Sequence, residues 1–342
     1  MFVDVKLKLF LLLKFLGKLK FLWLIFLSEH IRYLEVSGRL QKLRVAIPKG
    51  HLWDKTKSLL TQAGYELKMT SERSYLVLTN DPEIEMRIHR AQNISPLVEE
   101  GVYDVGITGF DWIIEYNVDV VELLDLEFGR VDVVAAVPQN YRLSPDEEGD
   151  VFDKLIEKVK FEGRKRVIVA SEYENITKRF CDEKFKDFPY KFIRSYGATE
   201  TFIDTADMII ECSETGTSLR ENGWEVIFKI FSSTARVIAN KQSLNDDWKK
   251  DKIEGFITLL AGAKEAEDLK LVKMNVPEKA LRKVLKILPS MKSPTISKLA
   301  SEKAGYAVEV AVKKDEVVKL IPMLKKCGAT DILELDIRKA VK

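Results

Sequence analysis

The stretch Ala206-Asp-Met-Ile-Ile-Glu-Cys-Ser-Glu-Thr-Gly-Thr-Ser-Leu-Arg220 gives the clearest indication of the fold. Its apolar run at residues 208–210 predicts a buried strand, and the acid Glu211 stands where that strand should end. Ser218-Leu-Arg-Glu221 has the spacing of a capping box, in which the serine hydroxyl caps a helix and the glutamate reaches back. The stretch therefore predicts a strand that leads through a short loop into a helix, as in α/β proteins.

The loop between that strand and that helix suits an anion. Free backbone N–H groups and the helix dipole gather around negative charge at such a junction. Gly216 permits a backbone conformation that other residues avoid, and the hydroxyls of Thr215, Thr217 and Ser218 add donors. We expect a phosphate monoester here. The alternative is an ordinary strand-to-helix turn, and neither a P-loop nor a dinucleotide fingerprint is present.

The composition restricts the class of partner. The 342 residues include 55 basic and 53 acidic side chains, so the net charge of +2 indicates no nucleic-acid partner. The scattered cysteines predict neither a zinc site nor a disulfide framework and suit a cytoplasmic protein, and a histidine-based metal site is not expected. These residues are Cys181, Cys212, Cys327, His30, His51 and His89.

Residues 1–42 differ from the rest of the chain. The first 27 residues are rich in Leu and Phe with interspersed lysines, and their longest uncharged run is too short to span a bilayer. They lack the unbroken apolar core and cleavage site of a signal peptide. A basic amphipathic helix on a membrane surface is one interpretation. We favour an extension outside the fold.

From residue 43 onward, strands alternate with short helices, which predicts a parallel or mixed sheet covered by helices. Lys49, Arg90 and Asp111 fall after predicted strands, where such folds bind their ligands. A second α/β lobe is predicted at residues 131–240, and one long helix at 241–268 should return to the first lobe, residues 43–130. Two such lobes resemble a periplasmic-binding-protein-like core with its ligand in the cleft.

The pattern changes again at residues 269–342. Strands and helices follow in the order βαββαβ, which predicts a ferredoxin-like module. No catalytic group stands out in it, so a regulatory or assembly role is expected. The loop Pro289-Ser-Met-Lys-Ser-Pro-Thr295 is rich in turn formers and hydroxyls, and Thr295 offers a hydroxyl and a backbone N–H where a strand opens.

Several segments, in order, resemble the long form of ATP phosphoribosyltransferase, the family that opens histidine biosynthesis. The resemblance covers residue 43 to the C-terminus. The segments are Leu43-Arg-Val-Ala-Ile-Pro-Lys-Gly50, Arg90-Ala-Gln-Asn-Ile94, Asp104-Val-Gly-Ile-Thr-Gly-Phe-Asp111, Ala206 to Gly223, Ser232-Ser-Thr-Ala-Arg-Val-Ile-Ala-Asn240, Leu288 to Thr295 and Cys327-Gly-Ala-Thr-Asp-Ile-Leu333.

The resemblance implies transfer of phosphoribosyl from phosphoribosyl pyrophosphate to N1 of ATP, with magnesium as cofactor and pyrophosphate as product. It also implies a homo-oligomer, from dimer to hexamer, that L-histidine inhibits through the C-terminal domain. The magnesium ligands stay unknown at this stage. The residues implied are, for phosphoribosyl pyrophosphate, Glu211, Ser213, Glu214, Thr215, Gly216, Thr217 and Ser218; for ATP, Lys49, Gly50, Arg90 and Asp111; for catalysis, Glu211, Lys49 and Arg90; for histidine, Asn275, Met291 and Thr295.

Three positions depart from the family pattern. His51 replaces the usual arginine after the Lys-Gly turn, Ala91 replaces proline, and Glu214 stands where a neutral small residue is more usual. An acid beside a phosphate is unfavourable unless it points outward or meets magnesium. Asn275 is neutral where the family can carry an acid, so its hold on the ammonium group of histidine should be weaker.

Two other functions compete. A membrane-tethered solute-binding protein would use residues 1–28 as its anchor and the cleft as its site, but it would need neither the hydroxyl-rich loop nor the C-terminal module. A catalytically silent regulatory paralogue would be expected to lose Glu211, Lys49 or Arg90, and this chain has all three.

Overall fold

The computed structural model describes residues 41–71, 74–143, 150–289, 293–300 and 305–341. The predicted N-terminal extension therefore lies outside the described residues, apart from residues 41 and 42. No helix in the described ranges combines the length and the apolarity needed to cross a bilayer.

The first lobe is built on a sheet whose central strand is nearly continuous in apolar residues. Strand β1, LRVAIPK, is buried on both faces, as expected for the interior of a parallel sheet. The elements are β1 (Leu43–Lys49), α1 (Trp53–Gln62), β2 (Lys68–Met69), β3 (Leu76–Leu78), β4 (Ile84–Arg90), α2 (Ala91–Glu99), β5 (Val105–Gly109), α3 (Phe110–Tyr116) and β6 (Val121–Asp125). Strand β1 pairs in parallel with β4 and β5, so the carboxyl ends of these strands share one edge.

The second lobe has its own five-stranded sheet, in the order β11-β7-β10-β8-β9. The elements are β7 (Val131–Pro138), α4 (Val151–Phe161), β8 (Val167–Ser171), α5 (Glu174–Phe185), β9 (Tyr190–Arg194), β10 (Met208–Ser213), α6 (Thr217–Glu221) and β11 (Trp224–Ser233). Strand β10 is parallel to β8 and antiparallel to β7. The two lobes and their two sheets match the predicted periplasmic-binding-protein-like architecture.

The chain returns to the first lobe earlier than the sequence predicted. Strand β12 (Ala235–Ala239) pairs antiparallel with β5 and β6, completing the seven-stranded order β2-β3-β4-β1-β5-β12-β6. The second lobe therefore ends near Thr234 and not at residue 240. The Thr234 hydroxyl donates to Asp125 Oδ1 at 2.8 Å and so joins the two crossings. Apolar strand residues alone do not reveal which sheet a strand enters.

The long helix α7 (Asp247–Glu267) begins later than the predicted start at residue 241. The Asp246 carboxylate accepts a hydrogen bond from the Lys249 N–H at 2.9 Å, which caps the helix at that point. The helix packs on α1 and β1 of the first lobe.

The C-terminal module has the predicted βαββαβ order. Its elements are β13 (Leu269–Val276), α8 (Glu278–Ile287), β14 (Thr295–Lys298), β15 (Tyr306–Lys313), α9 (Lys314–Lys326) and β16 (Thr330–Asp336). The antiparallel sheet has the order β14-β15-β13-β16, and both helices pack on one face around a separate apolar core. The chain end returns to the first lobe, where Lys339 Nζ donates to the Ala63 carbonyl at 2.8 Å.

Candidate active site

Lys49 and Arg90 lie side by side at one edge of the first sheet. They are the last residues of β1 and β4 and are partners in the parallel register. Both are exposed, and no salt bridge engages either cation within the described residues. Lys49 Nζ lies 5.3 Å from the centre of the Tyr75 ring, a cation–π contact. Two unneutralised cations at one strand edge form a suitable place for a polyanion.

The neighbours of these cations explain two departures from the family pattern. Gly50 has a φ of +86°, which favours glycine in the turn after β1, and His51 is exposed in that turn. Ala91 opens α2 with Arg90 as its N-cap residue, and its carbonyl accepts the Thr108 hydroxyl at 2.8 Å. The first helical position suits proline and alanine alike, so this replacement leaves the backbone as it is.

Asp111 is more deeply buried than a ligand-contacting acid would need to be. It lies in the first turn of α3 and is 6 % exposed. Its carboxylate accepts the Ser233 hydroxyl at 2.5 Å and the Tyr173 hydroxyl at 2.8 Å. These bonds join the first lobe to the crossing and to the second lobe. A nucleotide could reach this carboxylate only if they opened, so the assignment of Asp111 to ATP stays a prediction.

Glu211 lies inside β10, which continues to Ser213 instead of ending at the acid. Burial raises the pKa of the Glu211 carboxyl, and the nearby Glu172 raises it further, whereas hydrogen bonds from Thr199 and the Cys212 N–H act in the opposite direction. The Cys212 N–H donates to Glu211 Oε1 at 2.9 Å. The acid is thus held in a fixed, largely buried position.

Glu172 is a second acid of the site that the sequence reasoning missed. It directly follows β8, and the register of β8 with β10 places Ser171 opposite Ile210, so Glu172 and Glu211 follow one another's strands at neighbouring positions. Burial raises the pKa of Glu172, while Arg90 and Arg194 lower it. Because Arg90 belongs to the first lobe, the two lobes meet electrostatically at Glu172. The available signal was an acid immediately after an apolar strand.

The hydroxyl-rich loop is organised by its own hydrogen bonds. Ser213 Oγ accepts the Gly216 N–H at 2.8 Å, and the Thr215 hydroxyl donates to Thr217 Oγ1 at 2.9 Å. Gly216 has a φ of +72°, and a Cβ there would lie 2.8 Å from Arg220 Nη1. Arg220 Nη2 donates to the Thr215 carbonyl at 3.2 Å. Arg220 therefore places a cation across the loop, a feature that the sequence reasoning did not assign.

The capping box predicted at residues 218–221 is wrong. The N-cap residue of α6 is Gly216, and no side chain caps the helix. The Ser218 hydroxyl instead donates to Glu200 Oε1 at 2.8 Å. A buried turn at residues 199–204 competes for this hydroxyl, and local sequence spacing cannot reveal such a partner. Glu214 is exposed at the surface of the loop.

The predicted histidine residues lie apart within the C-terminal sheet. Thr295 on β14 is opposite Glu309 of β15, whereas Asn275 on β13 is opposite Ala307. One strand thus separates them in a single chain, and Met291 lies outside the described residues. Asn275 Nδ2 donates to Asp331 Oδ2 at 2.8 Å. An acid therefore stands beside the neutral Asn275.

The described cavities and acid groups lie elsewhere or are sparse. Cavities of about 260, 310 and 420 Å³ lie along α7 and its junction with the C-terminal module, away from the strand ends. Within the described ranges no three or more His, Cys, Asp or Glu side chains are grouped to hold a metal. The open edge between Lys49, Arg90, Glu172 and Glu211 remains the place where the chemistry-bearing groups converge.

Known proteins match the chain over most of its length. The family model "HisG: ATP phosphoribosyltransferase" matches residues 90–262, and "HisG, C-terminal domain" matches residues 266–339. The ATP phosphoribosyltransferase of Pelodictyon phaeoclathratiforme is 41% identical over 308 residues, which cover 88% of this chain and 98% of the relative. That of Pelotomaculum thermopropionicum is 41% identical over 301 residues, with 88% and 99% covered. A solved ATP phosphoribosyl transferase (HisG:HisZ) complex from Thermotoga maritima has a TM-score of 0.52 at 25% identity and covers 64% of this chain and 96% of that chain.

Proposed function

Because the chain belongs to the ATP phosphoribosyltransferase family, we propose that its cleft joins phosphoribosyl pyrophosphate to N1 of ATP through the residues described above. The observation that carries the proposal is the convergence of the Glu211 strand and the hydroxyl-rich loop, on one lobe, with Lys49 and Arg90 on the other. Arg90 lowers the pKa of Glu172, which supports the two sets facing one cleft.

The second lobe binds the phosphoribosyl group. Gly216 leaves room for the 5-phosphate to approach the backbone of residues 213–218, and Arg220 adds a cation there. Glu211 accepts hydrogen bonds from the ribose hydroxyls, because a carboxylate is a stronger acceptor than a neutral group. Exposed Glu214 points away from the phosphate.

The first lobe stabilises the leaving group. The lone pair of adenine N1 forms the new bond to ribose C1 as the bond from C1 to the pyrophosphate oxygen breaks, and the electron pair leaves with pyrophosphate. Lys49 and Arg90 carry no competing salt bridge among the described residues, so both are available to the developing negative charge. The protein supplies position and electrostatics and needs no covalent nucleophile.

Magnesium fits the donor set. Glu211 and Glu172 are neighbouring carboxylates that raise one another's cost of ionisation, and a divalent cation between them would relieve it. Magnesium is commonly held by one or two carboxylates together with substrate phosphates, so three or more protein ligands are not required. When bound, the ion neutralises charge on the diphosphate. Glu211 and Glu172 are the residues that would hold it.

The C-terminal module binds L-histidine in this proposal. Thr295 offers a hydroxyl to the carboxylate of the amino acid, and Asp331 beside Asn275 supplies an acceptor for its ammonium group. Since one strand separates Thr295 from Asn275 in one chain, the pocket is completed by a second subunit of a homo-oligomer. We further infer a cytoplasmic location, which the three free cysteines support.

The experiment is pyrophosphate release with both substrates and with each one omitted. Release that needs both substrates and magnesium, together with a product that carries phosphoribosyl on adenine N1, is the expected result. Absence of product under all conditions would contradict the proposal. A membrane-tethered solute-binding protein finds no support, because the relatives match through the C-terminal module as well.

A further inference from the structure

A short turn between β9 and β10 lies against both halves of the phosphoribosyl site. The 3-10 helix Thr199–Asp204 follows residues 195–198, where Gly197 has a φ of +103° and Ala198 a φ of +49°. Alanine rarely adopts such a backbone, so the surrounding structure must hold this conformation. A rigid turn can position groups that contact it.

Buried hydroxyls tie the turn to Glu211. Ser195 Oγ and Thr199 Oγ1 lie 2.8 Å apart, and their residues are 3% and 0% exposed. The Thr199 hydroxyl also bonds the Glu211 carboxylate. Each hydroxyl has a single proton, so Thr199 gives its proton to the carboxylate and accepts the proton of Ser195. The hydrogen bonds therefore run in one direction, from Ser195 to Glu211.

The next residue of the turn holds the phosphate loop. Glu200 Oε1 accepts the Ser218 hydroxyl at 2.8 Å, and the Glu200 carbonyl accepts the Trp224 indole N–H at 2.9 Å. Trp224 is fully buried, so this carbonyl is fixed to the core of the second lobe. With its hydroxyl turned towards Glu200, Ser218 has only its backbone N–H, in the first turn of α6, to offer a phosphate.

We propose that Thr199 and Glu200 are positioning residues, which keep the Glu211 carboxylate and the Ser218 end of the loop at the separation of the ribose hydroxyls from the 5-phosphate. This inference rests on the proposed function of the cleft. Neither residue touches the substrate. Their effect passes through Glu211 and Ser218.

Other charged and titratable groups also act on Glu211. Glu172 follows β8, Tyr173 and Cys212 lie beside the acid, and Arg90 reaches Glu172 from the first lobe. None of these is changed by a substitution at Thr199. Removal of a donor to the charged form raises the pKa of Glu211, so the acid limb of phosphoribosyl pyrophosphate affinity should move to higher pH.

The test compares Thr199→Val, which loses the hydroxyl at constant shape, with Thr199→Ser, which keeps it. Thr201→Val is the matched control, since Thr201 is exposed on the same turn and bonds only the Ala198 carbonyl among the described residues. We expect Thr199→Val to raise the KM for phosphoribosyl pyrophosphate about tenfold with the KM for ATP unchanged. Thr199→Ser and Thr201→Val should stay within about twofold of the parent chain.

A carboxyl ¹³C titration of Glu211, assigned with Glu211→Gln, supplies a readout that needs no turnover. A higher pKa in Thr199→Val than in Thr201→Val supports the inference, even if the parent chain releases no pyrophosphate and the proposed function fails. Equal pKa values in these two variants overturn it. A loss in Thr199→Ser as large as in Thr199→Val also overturns it, because the hydroxyl would then not be what matters. Glu200→Ala should raise the KM for phosphoribosyl pyrophosphate without moving the Glu211 pKa, and a KM equal to that of Thr201→Val would remove Glu200 from the inference.

Discussion

The carboxylate of Glu115 accepts the backbone N–H of Asn175 at 3.0 Å, across the boundary between the two lobes. Glu115 belongs to α3 of the first lobe and is 1% exposed, and Asn175 lies in the first turn of α5 in the second lobe. The same carboxylate accepts the Ile176 N–H at 2.9 Å. An acid at a helix N-terminus satisfies free donors and meets the positive end of the dipole, so this contact fixes the angle between the lobes.

Glu115→Gln should weaken that contact, because an amide has one acceptor oxygen and turns an NH2 group towards the other donor. We expect a loss of about 1–3 kcal/mol in the free energy of unfolding. Denaturant unfolding gives the measurement. Glu183→Gln, on the same helix with a 70% exposed side chain, is the control and should change little. Equal midpoints for the two variants would show that the contact does not matter.

Glu211→Gln should keep the fold and weaken phosphoribosyl pyrophosphate binding. A neutral amide is a poorer acceptor for ribose hydroxyls, and loss of a hydrogen bond to a charged group costs about 1.5–3 kcal/mol, or roughly 10- to 100-fold in affinity. Calorimetry with phosphoribosyl pyrophosphate and magnesium measures the change. An unaltered affinity would remove Glu211 from the site.

Gly216→Val should abolish phosphate binding by strain and by blocked approach. Valine is disfavoured at a φ of +72°, and its Cβ would lie 2.8 Å from Arg220 Nη1. Gly163→Val provides a matched control, since Gly163 has a φ of +75° and an added Cβ meets nothing within 4 Å. Both should lose about 1–3 kcal/mol of stability, but only Gly216→Val should lose turnover. Equal turnover in both variants would contradict a phosphate site at this loop.

Asp104 should make stability depend on pH in the acid range. Burial by itself raises the pKa of Asp104, but hydrogen bonds from Arg44, Lys249 and Ser243 outweigh it and hold the pKa below its usual value. A carboxyl whose folded pKa lies below the unfolded one stabilises fully above the unfolded pKa, and the contribution disappears as the pH falls through the folded pKa. The parent chain should therefore lose stability below about pH 4. Asp104→Asn should cost about 3–5 kcal/mol at neutral pH and flatten this dependence, as followed by thermal unfolding across pH.

Histidine binding should require Thr295 and Asp331. Thr295→Val removes the donor proposed for the carboxylate, and Asp331→Asn removes the acid proposed for the ammonium group. Calorimetry should show L-histidine binding to the full chain and weaker binding, by about tenfold or more, to each variant. A chain truncated after Asp268 should lose histidine sensitivity. If the full chain binds no histidine at millimolar concentration, the module is structural in this protein.

Local sequence patterns predicted much of the fold because periodicity and turn residues act over a few positions. The apolar run at residues 208–210, the turn at Gly50 and the βαββαβ order of the C-terminal module all appear in the structure. The short strand β6 was missed, since Val121-Glu-Leu-Leu-Asp125 is only partly apolar and half-buried. Its identity as a strand depends on pairing with β12, more than a hundred residues away.

The sequence by itself determined the family, the order of the elements and the residue types that could bind an anion, because these follow from local spacing and from motifs in a fixed order. Only the tertiary structure decided which partner each polar group has. It turned Ser218 towards Glu200, enclosed Asp111 between Ser233 and Tyr173, and placed Glu172 beside Glu211. A hydrogen bond forms between groups that the fold brings within about 3 Å, whatever their separation along the chain, so long-range packing determines these roles.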